Sequence, residues 1–186
     1  MAKSSDAQAG RVRIIGGRWR KSVLRFPAAD ELRPTPDRVR ETLFNWLGQD
    51  LSGLDCLDLY AGSGALGFES VSRGARRAVL VERDPGAVLA LEANAQRLAA
   101  DCIEIVRGDA ARFVATAKGR FDVVFLDPPF RQNVLPGVLG SLPRVLNEGA
   151  RVYVESPLPV ALHAGWREIK QGRAGQVSFQ LLEWKE

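Results

Sequence analysis

Hydrophobic positions along the chain follow two different spacings. Val12 and Ile14 alternate with Arg11 and Arg13, so residues 11–15 read as a half-buried strand. Gly16 and Gly17 follow, and residues 19–26 return as a second strand, which makes a hairpin. Arg33-Pro34-Thr35-Pro36 then breaks the chain. Beyond it the spacing lengthens. Val39, Leu43, Trp46 and Leu47 recur at helical intervals, with Arg38, Glu41 and Asn45 on another face. A helix is expected over 36–47, with Thr35 as its N-cap and Pro36 in the first turn.

From residue 54 short apolar runs alternate with helical stretches. Strands are expected at 54–60, 78–81, 103–106, 121–126 and 151–154, and helices at 65–73, 85–100, 110–117 and 134–146. Two more strands are expected near 167–170 and 176–184. This alternation specifies an α/β fold with a mostly parallel sheet and helices on both faces. Such sheets bind ligands at the carboxyl ends of their strands. The chain divides into a disordered tail (1–10), a basic hairpin and helix (11–48) and a main domain (49–186).

Composition narrows the class. The 186 residues are 46% hydrophobic and 26% charged, enough for one domain with its own core and unlike a disordered or fibrous chain. No apolar run approaches the ~20 residues of a membrane-spanning helix. The first ten residues lack the apolar stretch of a secretion signal, so a cytoplasmic protein is expected. Cys56 and Cys102 read as buried, reduced thiols, and a single histidine, His163, excludes a multi-histidine metal site. No metal is expected.

Charge changes the picture more. The net charge is +4, but residues 1–40 hold ten basic and four acidic side chains, while the rest hold 16 and 18. Eight of those ten are arginine, the better fork for phosphate and the better stacking surface for bases. A basic segment of this kind suits a polyanion such as a nucleic acid, or simply keeps the chain soluble.

Two motifs carry chemistry. Asp58-Leu59-Tyr60-Ala61-Gly62-Ser63-Gly64 places glycines at 62, 64 and 67 between a strand and a helix, as a nucleotide-type loop requires. Glu82 ends the next strand, where a carboxylate accepts both hydroxyls of a ribose. The spacing itself fits either a nicotinamide dinucleotide or S-adenosylmethionine. Asp58 favours the second, because a carboxylate there repels pyrophosphate and suits the amino group of a methionine moiety. Asp109-Ala110 ends the third strand, where Asp109 either accepts from an adenine amino group or caps a helix. The second motif is Asp127-Pro128-Pro129-Phe130. The residue before a proline is held extended, so Asp127 has a fixed aim. Two prolines remove donors and leave carbonyl acceptors beside an aromatic ring. That rim fits the exocyclic amine of a base stacked on Phe130.

Taken together, Ala61-Gly62-Ser63-Gly64, Asp127-Pro128-Pro129-Phe130, Arg13-Ile14-Ile15-Gly16-Gly17 and the block from Leu32-Arg33-Pro34-Thr35 to Asn45-Trp46-Leu47 resemble the bacterial RsmD family. The resemblance runs from about Arg11 to the C-terminus. It departs at Arg20-Lys21-Ser22, where the family often has a glycine, which bears only on the hairpin's local shape. The resemblance implies a Rossmann-like class I methyltransferase with a seven-stranded sheet and a small N-terminal extension. It implies transfer of a methyl group from S-adenosylmethionine to N2 of a specific guanine in 16S ribosomal RNA, within the assembled or assembling small ribosomal subunit. Asp127, Pro128 and Phe130 then hold the target base. Asp58, Ala61, Gly62, Ser63 and Gly64 hold the methionine end, Glu82 the ribose, and Asp109 and Ala110 the adenine. Thr35 and Arg38 would lie near the cofactor carboxylate, though Arg38 also reads as a solvated helix charge. Arg11, Arg13, Arg18, Arg20, Lys21 and Arg33 would bind RNA phosphates. A DNA adenine-N6 methyltransferase shares both motifs and stands as the alternative. It usually needs a separate target-recognition region, for which this chain has little room.

Overall fold

The computed structural model describes residues 10–27, 35–129 and 133–185. Arg33, Phe130 and most of the expected N-terminal tail lie outside these residues. Gly10, expected in the tail, already belongs to a strand.

Two sheets are present. The small one pairs β1 (Gly10–Arg13) with β2 (Val23–Phe26) in antiparallel fashion. The large one contains β3 (Asp55–Asp58), β4 (Arg77–Glu82), β5 (Ile103–Arg107), β6 (Phe121–Leu126), β7 (Leu146–Ser156), β8 (Trp166–Ala174) and β9 (Val177–Trp184). Its spatial order is β5-β4-β3-β6-β7-β9-β8. All neighbours from β5 to β7 run parallel, and β9 is antiparallel to both β7 and β8.

Helices cover both faces, and the strands show why. In β3, β4, β6 and β7, Cys56, Leu80, Phe125 and Tyr153 point to one face, while Leu57, Val81, Val124 and Val154 point to the other. The first face packs against the hairpin and against α1 (Asp37–Leu47), α2 (Ala65–Ser72) and α3 (Pro85–Arg97). The second packs against α4 (Ala110–Thr116) and α5 (Leu135–Ser141). Strands buried on both faces are continuous apolar runs rather than alternating ones, which made them legible.

The hairpin is joined to this core by a buried polar junction. Glu69 of α2 is fully buried and accepts the Ile15 and Gly16 backbone N–H groups at 2.8 and 2.7 Å. It also accepts Nε of Arg73 at 2.9 Å and faces Nη1 of Arg40 at 3.5 Å. Arg40, itself fully buried, donates to the Thr35 and Arg13 carbonyls and to Asp37. Arg40 is therefore a structural cation, not part of the exposed basic excess.

Three local expectations are corrected. Gly16-Gly17 does not form a tight hairpin turn. Residues 14–22 make a wider loop closed by Ile14 N–H to Ser22 O and Lys21 N–H to Ile14 O, both 2.9 Å. The glycines instead let the backbone press onto the end of α2: a Cβ on Gly17 would lie 1.8 Å from the Ser72 carbonyl oxygen. Thr35 does not cap α1. Pro36 is the capping residue and no side chain caps the helix, because the Thr35 hydroxyl is turned into the site described below. The helix expected over 134–146 stops at Ser141, passes through one 3₁₀ turn at Leu142–Val145, and gives way to β7 at Leu146. Pro143 lacks an N–H and cannot continue the α-helical ladder. In α1 the buried stripe includes Phe44, with Trp46 only half-buried.

Candidate active site

The parallel strands reverse their order of addition between β3 and β6, which opens a crevice at their carboxyl ends. Period two decides what points into it. Asp58, Glu82, Asp127 and Glu155 each follow an inward-facing residue of the α1–α2–α3 face by two positions. Four carboxylates thus share one face at one edge of the sheet.

Two of them organise the glycine loop. Asp58 is 2% exposed, and its Oδ2 accepts the Gly67 N–H at 3.1 Å. Burial raises its pKa to about 7, the hydrogen bonds from Gly67 and Tyr60 opposing this and the charge of Glu82 adding to it. Glu82 accepts the Gly62 N–H through Oε2 and the Arg83 and Asp84 N–H groups through Oε1, all at 2.8 Å. Ala61 donates to the Val81 carbonyl, so the loop is clamped onto the end of β4. Gly64 has φ +78°, and a Cβ there would lie 2.6 Å from Leu91 and 2.7 Å from Phe68. Ser63 is buried, with its hydroxyl on the Ala65 N–H at 3.4 Å.

Asp109 caps α4 by accepting the Arg112 N–H at 2.9 Å. It also faces Tyr60, whose pKa rises to about 12 through burial first and the Asp109 charge second. Ala110 is buried beside it.

At the end of β6, Asp127 Oδ2 receives the Thr35 hydroxyl at 3.4 Å. Its pKa stands well above the usual carboxylate range, through burial first and then the charges of Glu155 and Asp58. Glu155 is 4% exposed and accepts the Tyr153 hydroxyl at 2.8 Å through Oε1. Neither Glu155 nor Tyr153 was singled out in the sequence. The available signal was a carboxylate two positions after a buried strand residue, as in the other three. A cavity of about 380 Å³ opens next to it, bounded by Pro128, Pro129, Glu155, the segment from Pro157 to Trp166 and Leu135, Pro136 and Leu139 of α5, with neither Asp127 nor Thr35 in its wall.

Comparison with known proteins identifies this arrangement. A family model described as conserved hypothetical protein 95 matches residues 12–183. Ribosomal RNA small subunit methyltransferase D of Escherichia coli K12 is 40% identical, covering 98% of this chain and 95% of the relative. The chain belongs to this methyltransferase D family. The Haemophilus influenzae protein of the same name is 38% identical and covers 94% of each chain. Among solved structures, a putative methyltransferase of Escherichia coli, yhhF, matches with a TM-score of 0.86 at 40% identity, covering 95% of this chain and 99% of that one. A precorrin-6y methyltransferase from Geobacter metallireducens shares the fold alone, at 16% identity and a TM-score of 0.68. The sheet is the Rossmann-like class I methyltransferase sheet.

In this member of the methyltransferase D family the basic hairpin residues face outward. Arg11, Arg13, Arg18, Arg20, Lys21 and Arg25 are all exposed. Arg11 lies directly opposite Arg25 across the ribbon, a like-charge pairing that costs stability. Arg25 was not among the expected RNA contacts. Arg13 approaches Asp37 at 3.7 Å, and Arg18 donates to Cys102 Sγ at 3.4 Å, so that thiol, expected to be buried, is half-buried at the margin of the core. Arg38 is exposed on α1, and the structure gives its side chain no bond to the loop residues. Among the described residues no cluster of His, Cys, Asp or Glu could hold a metal ion, and no helix is long and apolar enough to cross a membrane.

Burial of Asp58 gives a pH prediction. Between pH 4 and 7 an unfolded chain has lost the Asp58 proton and the folded one keeps it, so the fold binds more protons there. This contribution to stability is full below about pH 4 and is lost as pH rises through about 7. Asp58→Asn, whose amide oxygen still accepts from Gly67, is therefore expected to flatten the fall in urea midpoint between pH 5 and 7.5. An unchanged slope would show that burying this carboxylate costs nothing.

Proposed function

We propose that the chain transfers a methyl group from S-adenosylmethionine to N2 of a guanine in small-subunit ribosomal RNA. The observation that carries this reading is the parallel pairing of β3 with β6, which sets Asp58 opposite Phe125 and so brings Asp127-Pro128-Pro129 to the same sheet end as the glycine loop. The names of the relatives, which are ribosomal RNA methyltransferases, supply the substrate class.

The residues present fit the cofactor. Glu82 holds the loop through Gly62 and, with three backbone donors on it, keeps one lone pair on Oε2 for a ribose hydroxyl. Asp58 suits the methionine ammonium, and Asp109, beside Tyr60, suits the adenine amine. When bound, S-adenosylmethionine supplies an electrophilic methyl group on a cationic sulfur. The chain's own task is to orient a poor nucleophile. The N2 lone pair of guanine is delocalised into the ring. Asp127 and the Pro128 carbonyl accept the two N2 hydrogens and turn the lone pair toward the methyl group, so positioning supplies most of the rate. Asp127, its pKa raised, is a stronger base than an ordinary carboxylate and receives the proton that N2 releases. Phe130 provides the stacking plate of the base, which has left its own stack.

The exposed ribbon supplies the RNA phosphate contacts. Its Arg11–Arg25 repulsion is relieved when a phosphate lies between them. Arg11→Ala combined with Arg25→Ala is expected to weaken RNA binding and to reduce the slope of log K against log salt by about two. A slope equal to the parent's would remove the ribbon from the interface.

The direct test is transfer of labelled methyl groups to small ribosomal subunits lacking the modification, with the product nucleoside identified by mass spectrometry. N2-methylguanosine in 16S RNA is expected. Label in DNA as N6-methyladenine, with none in RNA, would overturn the substrate and leave the site intact.

A further inference from the structure

The β6–β7 register pairs Leu126 with Val154, so the next residues, Asp127 and Glu155, are lateral neighbours at the rim of the sheet. Both follow residues facing the same side, Phe125 and Tyr153. The Thr35 hydroxyl bonds Asp127 at 3.4 Å. Glu155 lines the cavity together with Pro128 and Pro129. A buried carboxylate needs partners, and among the described residues Tyr153 is the one side chain that donates to it.

Guanine offers two adjacent donors on one edge, N1–H and the N2 amine. Adenine offers an acceptor, N1, beside its amine. Two neighbouring acceptors therefore match guanine and repel adenine. We propose that Glu155 is the residue that selects guanine, accepting N1–H while Asp127 accepts from N2. This rests on the reading of the chain as a guanine-N2 methyltransferase, and assigns within it the group that reads the base. Burial pushes both carboxyls above the usual carboxylate range, so each gains from a donor that the base brings to it.

The test uses the full chain and small subunits carrying either guanosine or 2-aminopurine riboside at the target position. The analogue keeps the 2-amino group but has a bare lone pair at N1. The parent protein is expected to favour guanosine by at least about a hundredfold in kcat/KM, as a site built to pair an N–H rejects an analogue lacking it. In Glu155→Gln the ratio is expected to fall below about tenfold, because a carboxamide can turn either its oxygen to N1–H or its amine to a bare N1. Tyr153→Phe retains the carboxylate and is expected to keep the parent ratio even if turnover falls. The missing O6 of the analogue affects all variants alike and cancels in the comparison. A parent-like ratio in Glu155→Gln, with thermal midpoint and cofactor affinity unchanged, overturns the inference. So does a Tyr153→Phe ratio that collapses equally, since the effect would then belong to the strand end and not to the carboxylate. Failure of the parent to form N2-methylguanosine at all overturns the reaction assignment, and this inference with it.

Discussion

Asp127→Ala is expected to lower turnover by about a hundredfold to ten-thousandfold, the range of a positioned acid–base group, while binding of S-adenosylhomocysteine stays unchanged. The separation follows from the geometry. Asp127 bonds Thr35 and faces Glu155, but makes no bond to the glycine loop, which is held by Glu82 and Asp58. Removing it therefore leaves the glycine loop standing. Asp127→Asn is expected to fall between the two, because the amide oxygen still accepts an N2 hydrogen but cannot take its proton. Single-turnover methyl transfer alongside calorimetry separates the two effects. Parent-like turnover in Asp127→Ala would remove this residue from the chemistry.

Glu69→Ala is expected to cost about 3–5 kcal/mol, the usual cost of removing one partner from a buried ionic junction. Glu69 is fully buried and serves four groups: two backbone N–H groups of the hairpin loop, Arg73 and Arg40. Its removal leaves the Arg40 guanidinium buried, with Asp37 as its remaining acidic partner. Urea unfolding checks the magnitude. Activity should fall together with stability, because Arg40 also holds the Thr35 carbonyl at 3.2 Å and Thr35 bonds Asp127. Replacing Arg40 and Glu69 together by methionine should recover part of the stability lost in Glu69→Ala, since no unpaired Arg40 charge is then left buried. A loss under 1 kcal/mol in Glu69→Ala would mean that water reaches the junction.

The glycine loop and Asp127-Pro128-Pro129 were legible because their chemistry is local. A turn at positive φ needs glycine, and a proline pair fixes the aim of the residue before it. The central strands β4, β6 and β7 were legible because strands buried on both faces are apolar runs. Errors fell where a residue had two possible partners. Thr35 looked like a helix cap because serine and threonine cap helices locally, yet its hydroxyl reaches a residue 92 positions away. Arg40 looked like one more surface cation in a basic segment, yet Glu69, 29 positions on, makes it a core residue.

The sequence by itself determined the α/β layering, the glycine loop, the acceptor-rich motif and the basic character of the N-terminus, because each is written in short-range spacing. Only the tertiary structure decided that Glu155 stands beside Asp127, that Arg11 faces Arg25 while Arg40 is buried, and that the hairpin shares the core of the sheet. Those facts depend on strand register and on which face of a helix meets which strand. Such pairings are set by the packing of the whole chain.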